Sequence, residues 1–504
     1  MFRTHNIGEV NEKLVGKKVK LCGWVDSIRE HGKVIFLDVR DRYSKIQAVI
    51  VKSNGDFLLA KGLTKESCVL VEGEVNARPK GTENKELSTG KVELFIGGLK
   101  VLSKSEQIPF EINDDIENED LKLRYRYLGL RGEKLKNNII LRHKAISFIR
   151  GFLDKEGFLE IQTPILTKST PEGARDYIVP SRNFPGSFYA LPQSPQQYKQ
   201  LLMVGGMDKY FQIAPCFRDE DARADRCPGE FYQLDMEMSF FERDDVLELT
   251  ERLMIEMVKK VFPEKKFTRV PFPRISYDEA MKKYGRDNPD IRKNKDDKNE
   301  LGFCWVVDFP LFKEQKEEDF FHGAGERWGP SHHMFTSPKE EDLKYLDDKN
   351  AGKAKSLQYD LVLNGYEVGG GSVRIHDPKI QEKIFDLIGF TDKQKKEFEH
   401  IITAFKYGVP PHAGVAPGID RLLMVILGEK SIRETIAFPK NREARDVTMD
   451  APSGVTAHQL KEVHVNVDVK EKEGVVRGKV KEAKGVGKKV GKKKSVKKKK
   501  GKKG

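Results

Sequence analysis

Between Tyr210 and Phe240 the chain alternates so regularly that few local structures can hold it. Gln233, Asp235, Glu237 and Ser239 take turns with Leu234, Met236, Met238 and Phe240. Period-2 alternation of this kind specifies a half-buried antiparallel strand with one polar face. A strand-like run precedes it, and the loop between carries Arg218, Asp219, Glu220, Asp221, Arg223, Asp225, Arg226 and Glu230. The segment therefore predicts a long hairpin, apolar below and chemically loaded above. A solvated edge hairpin is the plainer reading of charge in a turn, so the weight falls on what the rest of the chain carries.

A chain of 504 residues can hold two or three domains with substantial cores. Its net charge of +13 is confined to one place. Residues 470–504 hold 17 Lys and Arg against 3 Glu, a net of +14, so everything before them sums to −1. Nucleic-acid binding by the body must then rest on specific sites. Lys, Gly and Val dominate after about 465, and low complexity of this sort is expected to be disordered. It reads as a nonspecific RNA-binding arm or as a solubilising tail. The five cysteines (Cys22, Cys68, Cys216, Cys227, Cys304) show no C-x-x-C spacing, which argues for a reducing compartment and against a zinc site. With no apolar signal stretch and no run of membrane-spanning length, a cytoplasmic location without a membrane partner is expected.

Residues 1–105 read as short alternating strands, near Val19–Val25, Ile35–Val39, Ile46–Ile50, Cys68–Val75 and Lys91–Ile96. Five such strands suit an OB-type β-barrel, a scaffold often used on single-stranded nucleic acid. Phe36 falls on the face opposite the presumed interior, with Asp38 and Arg40; Gln47 and Glu93 also face outward. A ring to stack an unpaired base, with amide and carboxylate groups to read base edges, is what loop recognition in RNA needs. Residues 106–135 form a charged connector, read as a hinge. Asn137–Glu156 is helical, with Ile139, Ile146, Ile149 and Leu153 on one stripe, and Gly157 ends it before a strand that closes on Thr163-Pro164. Tyr284–Glu300 is almost wholly polar, a surface insertion. Around Tyr359–Arg374, Asp360 and Glu367 are acids able to hold magnesium against phosphates. The run Gly369–Gly371 allows close approach of a ligand to backbone, and Arg374 supplies a planar cation for a carboxylate. Gly414-Val415-Ala416-Pro417-Gly418-Ile419-Asp420-Arg421 reads as a glycine-rich turn opening a buried helix, an anion site by its geometry.

In order, these stretches resemble the three motifs of class II aminoacyl-tRNA synthetases: the helix, glycine and strand ending at Pro164; Phe217-Arg218-Asp219-Glu220 with Arg223 to Gln233; and Gly414 to Arg421. Within that class the chain most resembles the aspartyl-tRNA synthetases, over roughly residues 1–455. The resemblance implies an α+β multidomain protein. Its parts are an N-terminal OB-type anticodon-binding barrel (1–105), a hinge (106–135), a catalytic domain with an antiparallel sheet flanked by helices (136–460), and a disordered basic tail (461–504). It implies a homodimer built through the first motif. One departure is that bacterial relatives usually carry a whole domain between the second and third motifs, where this chain has only the stub at about 284–300.

The resemblance also implies roles. L-aspartate would be held by Glu172, Ser194, Gln196, Lys199, Arg218, Asp235, His332, His333 and Arg374. ATP would meet Arg218, Asp219, Glu220, Phe231, Glu367, Gly418, Ile419, Asp420 and Arg421, with Mg2+ on Asp360 and Glu367. Arg218 and Arg421 would carry catalysis, Arg218 bridging the amino acid and the α-phosphate, Arg421 holding the γ-phosphate and covering adenine, with Phe231 on the other side. Because the substrate carboxylate is already ionised near neutral pH, no general base is needed, and rate comes from positioning and charge neutralisation. Arg29, Phe36, Gln47 and Glu93 would read the anticodon of tRNA(Asp). His31 and Gly81 resemble the members that charge tRNA(Asn) as well. Lys199 and Arg374 together favour a side-chain carboxylate over an amide. An asparaginyl or lysyl enzyme, or a noncatalytic RNA-binding paralogue, are the other readings. Cys227-Pro228-Gly229 is a second departure, since relatives commonly have Gln-Pro there without the extra glycine.

Overall fold

The computed structural model describes residues 1–114, 118–169, 173–220, 224–226, 228–315 and 327–468. Glu172, Asp221, Arg223, Cys227 and the basic run from 469 onward lie outside the described residues.

Five strands close a barrel in the order β1-β2-β3-β5-β4: β1 (Lys18–His31), β2 (Val34–Arg40), β3 (Lys45–Val51), β4 (Cys68–Ala77) and β5 (Val92–Ser103). Alternation fixes which side chains fill it. Leu21, Ile35, Leu37, Ile46, Ala48, Val71 and Leu94 are fully buried inside, while Phe36, Asp38, Gln47 and Glu93 point out. Arg40, on the same outward face, is buried against Asp26 (2.9 Å) and Glu66. Glu66 also receives Arg131 at 2.9 Å, which ties the barrel to the connector. That connector holds two short helices, Glu119–Arg124 and Arg126–Gly129. Arg126 is buried and donates to the carbonyls of Ile436 (2.9 Å) and Ala437 (3.0 Å), pinning the connector to the larger unit.

That unit is an eight-stranded sheet in the order β9-β10-β11-β12-β13-β8-β7-β6. The strands are β6 (Leu159–Glu160), β7 (Lys209–Arg218), β8 (Gly229–Ser239), β9 (Arg274–Ser276), β10 (Phe303–Val307), β11 (Gln358–Leu363), β12 (Tyr366–Val373) and β13 (His412–Pro417). The six central strands are antiparallel and the two outer ones join parallel to their neighbours. Four helices matter here: α1 (Glu133–Lys155), α2 (Gln196–Val204), α3 (Arg243–Val261) and α4 (Ile419–Leu427). Leu153 of α1, Leu253 and Met257 of α3 and Leu422 and Ile426 of α4 pack with Leu234, Met236 and Met238 of β8 in one core.

Two features of the sheet bear on the site. The polar face of the hairpin does not meet solvent: Asp235 and Glu237 are fully buried, because α2 and the residues after β12 roof that face with compensating cations. In the glycine run, Gly369 and Gly370 line the cleft described below, and Gly369 and Gly371 also pack on the neighbouring strand. A Cβ on Gly369 would meet Pro417 Cα at 2.8 Å, and one on Gly371 would meet Gly414 O at 2.3 Å. Gly370 alone of the three faces His332, Asp360 and Glu367. The β11–β12 turn, Asn364-Gly365, takes φ +51° and +86°, as a tight hairpin of primed type requires. In the polar stretch 284–300, Glu300 accepts from the backbone of Lys293 (2.9 Å) and Asn294 (2.8 Å), so the stub is organised by side-chain-to-backbone bonds.

Candidate active site

The hairpin β7–β8, helix α2, the His332 segment, β12 and the start of α4 surround a cleft of about 280 Å³. Arg218, Arg374 and Arg421, far apart in sequence, all line it, as do Ser194, Gln196, Lys199, Glu220, Phe231, Asp235, His332, His333, Glu367, Gly418 and Asp420.

The floor is a closed set of charges. Lys199 Nζ donates to Asp235 Oδ1 at 2.6 Å and lies 3.3 Å from Glu237 Oε2. Arg374 takes Glu237 in a fork, Nε to Oε1 at 2.9 Å and Nη2 to Oε2 at 3.1 Å, while Nη1 donates to Ser372 Oγ at 2.7 Å and lies 2.5 Å from His333 Nε2. Helical spacing explains the α2 side: Gln196, Lys199 and Gln200 share one face. Gln196 donates to Gln200 (3.2 Å), whose amide donates to His412 Nε2 at 3.2 Å; His412 Nδ1–H in turn donates to Pro410 O at 2.8 Å.

Burial and the surrounding cations set the protonation states. Burial opposes charge on Glu237, but Arg374 and Lys199 outweigh it and hold its carboxyl down at about 2. Burial pushes Asp235 up from the usual carboxylate value, against the pull of Lys199. Burial and then Arg374 and Lys199 press His332 down to about 3, and His333 also lies well below its ordinary value, so both imidazoles are neutral. Among the described residues, Asp235 Oδ2 is buried with no hydrogen-bond partner.

The upper part of the cleft differs. Arg218 Nε donates to Gln193 O at 3.3 Å, and its guanidinium lies 5.1 Å from the centre of the Phe231 ring. Arg421, in the first turn of α4, donates to Glu367 O (2.8 Å) and sits 3.3 Å from Asp225 Oδ2. Glu220 accepts from Arg226. Asp420 spends both oxygens on structure, accepting from Arg142 of α1 and from Tyr232 N (2.9 Å). Ile419 is buried in the core and Asp219 lies outside the lining, beside Arg175 at 3.8 Å. Asp360 stands next to Glu367 at Gly370; burial and then that neighbouring carboxylate push it well above the usual range. Glu237, Gln200, His412 and Arg142 carry no role in the motif reading; for Glu237 the alternation itself was the signal.

Residues 118–442 match the family described as tRNA synthetases class II (D, K and N), and residues 19–102 match the OB-fold nucleic acid binding domain. The chain is a class II tRNA synthetase. Relatives of this synthetase bear the name "Aspartate--tRNA(Asp/Asn) ligase". One, from Dehalococcoides mccartyi, is 40% identical over 93% of this chain and 99% of its own length. Another, from Thermotoga neapolitana, is 41% identical over 93% and 100%. The first alignment runs over 604 positions, so at least 100 of them have no counterpart in this synthetase's 504 residues. Among solved structures, asparaginyl-tRNA synthetase from Pyrococcus horikoshii complexed with asparaginyl-adenylate superposes with a TM-score of 0.71 at 27% identity, covering 87% of this chain and 98% of that one. Aspartyl tRNA synthetase from Entamoeba histolytica shares the fold, with a TM-score of 0.67 at 23% identity over 87% and 91%.

On the synthetase's barrel, the expected anticodon residues lie together. Arg29 Nη2 donates to Asp38 (3.1 Å) and Gln47 Oε1 (3.2 Å), and Gln47 donates to Glu93 at 2.8 Å. His31 meets the Phe36 ring edge-on, with ring centres 5.9 Å apart. Gly81, at φ +88°, donates its N–H to Glu83 at 2.9 Å within the loop between β4 and β5.

Proposed function

We propose that this synthetase activates L-aspartate with ATP and transfers it to tRNA(Asp) and tRNA(Asn), releasing diphosphate and then AMP. The observation that carries the amino-acid choice is the cleft floor. Asp235 Oδ2 is an orphan acceptor, matched by an ammonium group. Lys199 and Arg374 have donors only, and each keeps an N–H beyond those facing Asp235, Glu237, Ser372 and His333 among the described residues. Two such groups suit an acceptor-only carboxylate and would face the N–H2 of an amide unfavourably. The likeness to an asparaginyl enzyme favours asparagine as the second reading, and this donor set is the argument against it.

Arg218 is placed to hold the α-carboxylate against the α-phosphate, lowering the repulsion between two anions. Arg421 takes the γ-phosphate by exchanging Asp225 for it, and Phe231 stacks on adenine once the nucleotide displaces Arg218 from its ring. Glu220 accepts from adenine. The neutral His332 and His333 line the cleft beside Arg374 without adding charge. Asp360 and Glu367 fit a magnesium ion. No group of three or more His, Cys, Asp or Glu suited to a metal occurs among the described residues, so phosphate oxygens and water would supply the remaining ligands. Bound there, magnesium would neutralise phosphate charge.

The reading includes two protomers joined through α1 and the strand after it. Leu159, Ile165 and Leu166 are exposed there, as an interface would leave them in one chain. Among the described residues no helix is long and apolar enough to cross a membrane, and the reading places the enzyme in the cytoplasm. Aminoacylation with each purified tRNA tests the proposal: aspartate is expected on both. Its absence from tRNA(Asn) removes the dual specificity; its absence from both removes the reading.

A further inference from the structure

The barrel carries a second outward ring. Phe36 of β2 pairs across the sheet with Val49 of β3, and Val49 pairs with Phe95 of β5. The flanking residues Ala48, Leu94 and Ile96 are fully buried inside, so all three members of this row face outward. Two strand spacings separate the rings, about 10 Å. Val49 is only 7% exposed and forms an apolar floor between them, whereas Phe95 is 40% exposed. A lone surface phenylalanine means little. This one stands in register with the ring already assigned to a base, on the outward face of a nucleic acid binding barrel.

The surroundings of the two rings differ. Phe36 is ringed by Arg29, Asp38 and Gln47, linked through Gln47 to Glu93. Phe95 is paired with Glu74 on β4, and two residues further along its own strand stands Gly97, with no side chain. The carboxylate two residues before it, Glu93, is engaged with Gln47. A base resting on Phe95 would be held by its face, with the exposed Glu74 as the polar group paired beside it. Stacking of that kind tolerates any base.

We infer that Phe95 is a second base-stacking platform, holding another unpaired base of the tRNA anticodon loop beside the one on Phe36. The inference rests on the tRNA-charging reading above and adds a contact that serves tRNA(Asp) and tRNA(Asn) alike.

The test is aminoacylation kinetics of the full chain with Phe95→Leu and Phe95→Trp, alongside aspartate-dependent pyrophosphate exchange. Leucine keeps the apolar volume and removes the π-face. Phe95→Leu should raise the KM for tRNA(Asp) by about 5- to 100-fold, the span that one base stack represents, with kcat and pyrophosphate exchange unchanged. Phe95→Trp should restore KM to within about twofold, as stacking requires of an aromatic replacement. An unchanged KM in Phe95→Leu overturns the inference, and so does a Trp variant as impaired as the Leu variant. Failure of the unaltered chain to charge tRNA is a separate result, which overturns the reading beneath it.

Discussion

Arg374 and Glu237 form a buried two-pronged pair, with Nε 2.9 Å from Oε1 and Nη2 3.1 Å from Oε2. The pair cannot slide: a Cβ on Gly414 of the neighbouring strand would lie 2.0 Å from Glu237 Oε2, so backbone packs directly on the carboxylate. Glu237 thus aims the guanidinium from behind. Glu237→Gln keeps the shape and removes one charge-assisted partner, worth about 1.5–3 kcal/mol. The KM for aspartate is expected to rise about 10- to 100-fold by that energy, with a smaller change in the KM for ATP, read by pyrophosphate exchange. Equal changes for both substrates would contradict this aiming role.

The same carboxyl makes a pH prediction. Its ordinary value is 4.5, and Arg374 and Lys199 hold it at about 2 against the opposing effect of burial. A depressed acid stabilises the fold fully above its unfolded value and loses that contribution as the pH falls towards its folded value. Resistance of the unaltered chain to urea should therefore fall as the pH drops from about 4.5 to about 2. Glu237→Gln should be less stable at pH 7 and lose less stability across that window. Parallel pH profiles for the two proteins would contradict the assignment.

Asp420 joins three parts of the chain, accepting from Arg142 of α1 and from Tyr232 N of β8 while sitting next to Arg421 in α4. Arg142→Met leaves that buried carboxylate short of its cation and should loosen the start of α4. The expected result is a KM for ATP raised about tenfold, the equivalent of 1.4 kcal/mol, partly restored in Arg142→Lys. A lowered melting temperature with an unchanged KM for ATP would show a purely structural role.

Asp360→Asn should raise the magnesium concentration needed for half-maximal pyrophosphate exchange by about tenfold or more, as loss of one of few charged ligands does. An unchanged magnesium dependence would place the ion elsewhere.

Much of this was legible because hydrophobic alternation and glycine punctuation are local properties. The barrel strands, the hairpin from Lys209 to Ser239 and the helix that Gly157 ends can all be read from neighbouring residues. What covers a face cannot. That Asp235 and Glu237 are fully buried is not legible, because their compensating cations come from Lys199 and Arg374, one 36 residues before Asp235 and the other 137 residues beyond Glu237. Asp420, read as an ATP-site residue, does line the cleft, but nothing near it in the sequence announces Arg142, 278 residues upstream. That Gly369 and Gly371 also make room for Pro417 and Gly414 is not visible in the sequence. Phe95 was not singled out from the sequence, and its outward face is seen in the burial of Leu94 and Ile96 on either side of it.

The account turns on which amino acid the cleft accepts. Pyrophosphate exchange into ATP, measured on the purified chain with L-aspartate, L-asparagine and L-lysine in parallel, tests this most directly. L-aspartate should support exchange with a kcat/KM at least about 100-fold above the other two, in keeping with donors that an amide leaves unmatched. Exchange driven equally well by asparagine or lysine would contradict the reading of Lys199, Arg374 and Asp235 on which the rest stands.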